Sequence, residues 1–511
     1  MSEISEISRR RLLAAAGLSG AAMAVAWDAA PAQTEATAAA GSPPPVAGLH
    51  LQFGADAATQ MVVSWHTLEP VTRPRVAVGR MDGRLAKPWL ATTASYVDAK
   101  SGQSVFAHHA AIEGLRPDTP YLYCAVHEGA TARFGALRTA PKGRAAFTFT
   151  SFGDQGTPTL GRLNEAVWVN DNLGSPAAAD TTLGVERVGP LFHLFNGDLC
   201  YANLAHDRVR AWWDFWENNS RSAAHRPWMP SPGNHENELG NGSIGYLAYQ
   251  TYFSLPPAGG QTDLTRGLWY AFTAGSVRVV SLANDDICYQ DSGDSYVRGY
   301  SGGAQKAWLE AELAAARADR AIDWIVVCMH QTAVSCADKA NGADLGIRED
   351  WLPLFDRFGV DLVVCGHEHH YERSHPLRGC EVNATRTPRA AAKATDVIDT
   401  QGGTVHMVLG GGGTSRPTSG FFDPPACRVI TAVGPRDPRT GKHPPIYVQE
   451  PAPWSAVRNQ ARFYGFAAFD VDPGASPGGL TTMKVTYYDV VGTGGAIVPF
   501  ESFTLKRRRR D

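Results

Sequence analysis

No two of the eight cysteines stand three positions apart, so the sequence lacks the Cys-x-x-Cys pair on which zinc ribbons and thioredoxin-type redox sites are built. Charge is sparse as well: Asp, Glu, Lys and Arg make up 19% of 511 residues and nearly cancel, leaving −3 overall. Without a basic excess there is no electrostatic footprint for nucleic acid, and none is expected as a partner. Beyond the N-terminal stretch no run is apolar for the roughly 20 residues a membrane span needs. What the sequence has in quantity is Gly (52) and Pro (33), in a chain that is 44% hydrophobic. That combination describes a globular protein with many turns and argues against an all-helical one. The length favours two or three units, one of them large.

At the N-terminus, Ser8-Arg9-Arg10-Arg11-Leu12-Leu13 precedes a mildly apolar stretch of Ala, Gly, Leu and Val that ends near Trp27. This resembles a twin-arginine export signal, and Ala30-Pro31-Ala32 offers small residues at both positions of an Ala-x-Ala cleavage site. Residues 1–32 are therefore expected to be a signal peptide. Residues 33–47 would be a linker, and the mature chain, starting near Gln33, would be exported folded to the periplasm or medium without a transmembrane segment. An uncleaved anchor is the alternative.

Residues 48–141 show short period-two runs, such as Gln60-Met-Val-Val-Ser-Trp65 and Tyr121-Leu-Tyr-Cys-Ala-Val126, which predict a small all-β sandwich. Gly114 to Tyr121 resembles the tyrosine corner of a fibronectin type III domain, with Trp65 as a core residue. From about 145 to 505 apolar strands alternate with helical stretches at Gln305–Ala318 and Asp350–Phe358, which predicts one open sheet, and later strands near 404–409, 465–471 and 483–488 suggest a second. The expected fold class is thus α/β, an αββα-type sandwich preceded by the small β domain. The basic run 506–511 reads as a solvated tail.

Four of the predicted strands end in a residue that could hold a metal. Phe147–Phe152 runs into Gly153-Asp154, Leu191–Phe195 into Asn196-Gly197-Asp198, Ile325–Met329 into His330, and Asp361–Cys365 into Gly366-His367. Ligands gather beyond the carboxyl ends of strands in open α/β sheets. Singly, each Asp reads as a turn former and each His as an ordinary core or surface residue. The ordered set Gly153-Asp154, Gly197-Asp198-x-x-Tyr201, Gly233-Asn234-His235-Glu236, His330 and Gly366-His367-Glu368-His369 is harder to assemble by chance.

These five motifs resemble the signature of the binuclear metallophosphoesterases, and specifically of the purple acid phosphatases, over nearly all of residues 145–500. Where the wider superfamily uses Asp-x-His in the first motif, this sequence has Gly156, and Tyr201 stands where the purple enzymes place a compensating tyrosine. The resemblance implies two ions per chain: Fe(III) on Asp154, Tyr201 and His369, a divalent ion (Zn, Mn or Fe(II)) on Asn234, His330 and His367, and Asp198 bridging them. Carboxylate and phenolate are hard ligands suited to Fe(III), while imidazole and amide suit the divalent ions. It also implies hydrolysis of small phosphate monoesters by in-line attack of a metal-bound hydroxide. His235 would bind phosphate or protonate the leaving oxygen, with Glu236, His370 and Arg373 packing around the ligands. A phosphodiesterase using the same centre is an open alternative, and a non-catalytic binding protein on this scaffold a remote one.

One departure bears on substrate. Residues 331–366 contain no histidine, whereas plant-type members of the family carry substrate-facing histidines there. Lys339 and Arg348 lie in that stretch and could bind phosphate as fixed charges. Cys328 and Cys365 read as buried apolar residues, and Cys380 and Cys427 as loop residues that an export destination would allow to form a disulfide.

Overall fold

Residues 46–140 alternate apolar and polar side chains, and they fold into two antiparallel four-stranded sheets. One runs in the order Ala47–Phe53, Met61–Thr67, Ser104–Ile112, Thr92–Val97, the other Trp89–Leu90, Arg75–Gly79, Pro120–Val126, Arg133–Arg138. Their inward residues, among them Val63, Trp65, Val76, Tyr123 and Leu137, share one core. The Tyr121 hydroxyl accepts the Arg116 amide at 2.8 Å, closing the loop that precedes its own strand. The structure, a computed structural model, describes residues 43–85, 88–158, 161–164, 167–170, 173–291, 293–339, 341–418 and 420–511. The expected signal segment 1–32 and most of the linker lie outside the described residues.

The remainder is built on two seven-stranded sheets. The first runs Trp228–Ser231, Phe192–Asn196, Phe147–Phe152, Gly465–Asp472, Leu480–Val490, Ile497–Arg508, Val397–Asp399; the second runs Tyr270–Ala274, Val277–Ser281, Trp324–Cys328, Leu362–Cys365, Val405–Leu409, Tyr371–Ser374, Ser455–Arg458. Trp228–Ser231, Phe192–Asn196 and Phe147–Phe152 at one side of the first sheet, and Val277–Ser281, Trp324–Cys328, Leu362–Cys365 and Val405–Leu409 at the heart of the second, are parallel and largely buried, as parallel strands covered on both faces must be. Alternation then sorts their side chains into layers. Val326 and Val364 face the first sheet's Phe149 and Phe469 in the layer between the sheets. Ile325, Val327 and Val363 face outward, under helices Ala304–Ala318 and Leu352–Phe358. On the far side, helices Ala177–Val188 and Arg208–Ala223 cover Phe152, Phe195 and Phe466. The result is the expected αββα sandwich.

Three expectations are corrected here. The strand ends come from both sheets: 147–152 and 192–196 belong to the first, 324–328 and 362–365 to the second, and the later strands divide between them. The basic tail does not hang free, because the last strand continues through Arg508. The Arg507 guanidinium is buried against the Asp361 carboxylate at 2.5 and 2.6 Å, an ion pair that charge counting along the chain cannot foresee. Cys380 and Cys427 lie on strands, not loops, and both are free thiols.

The β domain docks on the first sheet's helical side. His50 stacks on Trp216 at 3.7 Å, His109 Nε2 bonds the Thr251 carbonyl at 3.0 Å, and Tyr123 donates to the Ala224 carbonyl at 2.8 Å.

Candidate metal centre

The carboxyl ends of the two sheets meet, and each contributes half of a polar cluster. Asp154, Asp198 and Asn234 follow first-sheet strands; His330, His367 and His369 follow second-sheet strands. Turning sharply out of a buried strand costs backbone strain, and it is concentrated here. Asp154, Asp198, Tyr201 and His367 have φ of 60°, 52°, 56° and 71°, four of the seven non-glycine residues with positive φ among those described. Such conformations are rare for L-residues and accumulate at functional sites. The glycines before the ligand positions allow the close approach: a Cβ on Gly366 would sit 2.2 Å from Asp154 Oδ2. At Gly156 a Cβ would lie 1.9 Å from the Leu173 carbonyl oxygen, so no histidine fits there.

The candidate atoms form two sets. In one, Asp154 Oδ1, Tyr201 Oη and His369 Nε2 stand 3.2 to 3.3 Å apart in every pairing. In the other, His330 Nε2 lies 3.0 Å from Asn234 Oδ1, 3.1 Å from Asp198 Oδ2 and 3.2 Å from His367 Nδ1. Atoms bound about 2.0–2.2 Å from one ion, at right or tetrahedral angles, are separated by about 3.0–3.5 Å, so both sets have the spacing of coordination edges.

The protons point the same way. His330 Nδ1 faces the Asn196 carbonyl at 2.7 Å, His369 Nδ1 the Arg416 carbonyl, and His367 Nε2 the Gln290 side-chain oxygen at 2.8 Å. Each of these nitrogens must donate, which leaves a lone pair on the opposite nitrogen of each neutral ring. All three lone pairs are turned toward acceptors. Acceptors crowded on acceptors need a cation between them. With protons alone, burial lowers His330 but Asp198 and Asp154 more than reverse this and raise it to about 10. Burial, then Asp154 and Asp198, holds the Tyr201 phenol well above its ordinary range, and burial and His330 push His367 well below its own. The residues present therefore fit a pair of metal ions.

Glu236 organises the loops behind the site, its carboxylate accepting the amides of Gly233, Asp198 and Leu199 at 2.7 to 2.9 Å. His235 donates its amide to Asp198 Oδ1 at 2.8 Å, and its Nδ1 bonds Asn203 Oδ1 at 2.8 Å, leaving Nε2 toward the cavity. Two expected supports lie elsewhere. His370 bonds Thr418 and Glu372 at 3.0 and 3.4 Å; it reaches the site only through Thr418, whose amide bonds the His369 carbonyl. Arg373 pairs with Glu501 and covers the Phe503 ring at 4.2 Å, bracing the two sheets. Arg348 does not reach the cavity as a phosphate contact: it is buried against Glu450 and the carbonyls of Ala333 and Thr385. A cavity of about 480 Å³ opens over the cluster, lined by Asp198, Tyr201, His235, His367 and His369 together with Lys339, Asn341 and Arg416. Asn203, Gln290, Asn341 and Arg416 were not legible in the sequence. They act through contacts made only by folding, and no spacing marks them.

Fold and donor set together define the class, a metal-dependent phosphoesterase scaffold. Two family models match the chain: Purple acid Phosphatase, N-terminal domain, over residues 46–140, and Calcineurin-like phosphoesterase over residues 167–371. An uncharacterized protein of Mycobacterium tuberculosis is 58% identical over 98% of this chain and 96% of its own length. A purple acid phosphatase of Glycine max is 27% identical over 72% of each chain. The solved structure of a purple acid phosphatase from yellow lupin seeds superposes with a TM-score of 0.65 at 18% identity, covering 92% of this chain and 76% of that one. The chain belongs to the purple acid phosphatase family of calcineurin-like phosphoesterases and is a hydrolase of phosphoric esters.

Proposed function

We propose that the protein is an exported acid phosphatase that hydrolyses phosphate monoesters at an Fe(III) and divalent-metal pair. Asp154, Tyr201 and His369 would hold the ferric ion, Asn234, His330 and His367 the divalent ion, and Asp198 would serve both. The observation that carries this reading is the pair of acceptor sets with inward-facing lone pairs, one of which includes a phenol. Phenolate is a hard ligand that only a strongly charged ion keeps deprotonated in acid. When bound, the two ions supply positive charge to the developing phosphoryl oxygens and make water nucleophilic at low pH. The protein's own residues orient and protonate. His235, turned by Asn203, presents Nε2 to the cavity and, in its doubly protonated imidazolium form, gives the Nε2 proton to the leaving oxygen of an ester lying in line, Nδ1 keeping its own proton on Asn203 Oδ1. Glu236 fixes the loops from which Asp198 and His235 project. Residues 1–32 act as the twin-arginine signal, so the ions are loaded before export.

The test is metal analysis and visible spectroscopy on protein exported by its own host. Two ions per chain and a visible charge-transfer band that Tyr201→Phe bleaches are expected; iron-replete wild type without such a band removes the ferric assignment. Diester turnover far above monoester turnover would transfer the site to a phosphodiesterase.

A further inference from the structure

The cavity is larger than a phosphoryl group needs and falls in the range of pockets that hold whole small molecules, about 300–1,000 Å³. Its outer wall has a particular chemistry. Lys339 and Arg416 both line it, both are exposed, and neither has a carboxylate within ion-pair distance among the described residues. Each is carried on backbone tied to a different ligand set. The Arg416 carbonyl accepts from His369 Nδ1, while two residues beyond Lys339 the Asn341 side chain donates to the His367 carbonyl at 3.2 Å. The two cations therefore line one cavity from two segments, one in contact with each ligand set. Arg416 has a proline neighbour, Pro417, on the same wall, and Leu204, 50% exposed, lines the cavity as well.

An unpaired Lys and an unpaired Arg beside a centre that already binds one phosphoryl group have charge to spare. We propose that Lys339 and Arg416 recognise a second anionic group on the leaving part of the substrate, so that the preferred substrates are phosphate monoesters bearing a further carboxylate or phosphate. This rests on the monoester reading above and specifies its substrate class. The phosphoryl group is engaged at the ligand sets, the body of the leaving group lies along Leu204 and Pro417, and the distal anion meets the two cations. Arg offers a planar fork suited to carboxylate or phosphate, and Lys a mobile point charge.

The experiment compares kcat/KM for 4-carboxyphenyl phosphate, for its carboxamide isostere, and for the bisphosphate of hydroquinone, in wild type and in the double variant Lys339→Ala/Arg416→Ala. The readout is the ratio of anionic to neutral substrate. Wild type is expected to favour the anionic esters, and the double variant to lose about 10-fold of that ratio, the loss two partly exposed charge contacts should cause. Lys339→Glu/Arg416→Glu should invert the preference, and added salt should shrink the wild-type ratio. Which of the carboxylate and bisphosphate esters loses more identifies the anion recognised. A ratio that is the same in wild type and variants overturns the proposal, as does an equal loss on all three esters. If wild type hydrolyses none of them, the monoester reading fails instead. The cations are then judged by calorimetric binding of inorganic pyrophosphate against inorganic phosphate to the metal-loaded protein, where an unchanged preference in the double variant overturns them.

Discussion

At the scale of single residues, the site is governed by which nitrogen of each histidine carries the proton. Carbonyl and amide oxygens behind His330, His367 and His369 fix that choice before any ion arrives. Asp198 is the residue assigned to both ions, so Asp198→Asn should lose metal and nearly all turnover together; two ions per chain with normal activity in that variant would sink the assignment. His235 makes a more discriminating case. If its Nε2 protonates the leaving oxygen, His235→Ala should cost about 10²- to 10⁴-fold on alkyl phosphates and much less on aryl phosphates with good leaving groups. Equal losses would mean that it only positions phosphate. Asp154, Asp198, His330 and His367 were legible because each follows an apolar run with a polar residue that a strand has no use for, whereas Tyr201, Asn234 and His369 were legible only as members of the ordered motifs. Their backbone strain was not, since nothing in the letters Gly-Asp separates an ordinary turn from φ near 60°. Arg348 and Arg373 were misread for the complementary reason: their partners Glu450 and Glu501 lie about a hundred or more residues away.

At the scale of elements, hydrophobic runs located the strands, but not the sheet to which each belongs. Parallel strands buried on both faces read alike wherever they lie, so the meeting of two sheets over one centre emerged only from the fold. A second feature of this kind is the hairpin of strands Ala426–Val433 and Pro445–Pro451. Its connecting loop reaches across to the segment around residue 291, where His443 bonds Asp291 through its amide at 2.6 Å and through Nδ1 at 2.9 Å. That segment touches the site three times. Gln290 meets His367, the Gly293 amide donates to the Asn234 carbonyl at 2.6 Å, and Asp294 accepts from Asn203, the partner of His235. The hairpin therefore clasps from outside the half of the centre formed by Asn234, His330 and His367. Loosening the clasp in His443→Ala should weaken divalent-metal affinity and kcat by about 10-fold, the lower end of what supporting contacts around a metal site contribute. His443→Gln should retain part of both, and the thermal midpoint should hardly move. Metal titration followed by kinetics checks this, and wild-type affinity in His443→Ala would show that the hairpin is only a surface ornament of the sheet.

At the scale of the whole molecule, the β domain buries a set of histidines, three of which, His50, His66 and His109, lie at its boundary with the sandwich, and their protonation sets how the chain tolerates acid. Burial pushes His50, His66 and His108 down to about 3 and His109 to about 4. An unfolded chain binds protons on these rings near pH 6.5. A base whose folded value is depressed contributes stability that is complete above the unfolded value and is lost as pH falls toward the folded one. The window is therefore about pH 6.5 down to 3. His66 is the clearest case. It lies 1% exposed, edge-on to Trp213 and Tyr252 at 5.0 and 5.3 Å, and neither ring nitrogen has a hydrogen-bond partner among the described residues. Nothing in this pocket welcomes a proton. His66→Leu removes one such titration while keeping the pocket apolar. Between pH 7.5 and 5.5 wild type should lose about 1.4 kcal/mol more stability than this variant, one unit of pH below the unfolded value. Glu236, Glu238 and Glu368, raised by burial to between about 7 and 8, act with the opposite sign, but they are common to both proteins and cancel in the comparison. Urea unfolding at the two pH values measures the difference. Parallel losses in wild type and variant would mean that His66 already finds a proton acceptor in the folded state, and that the lower pH limit of the enzyme is set within the sandwich instead of at the domain boundary.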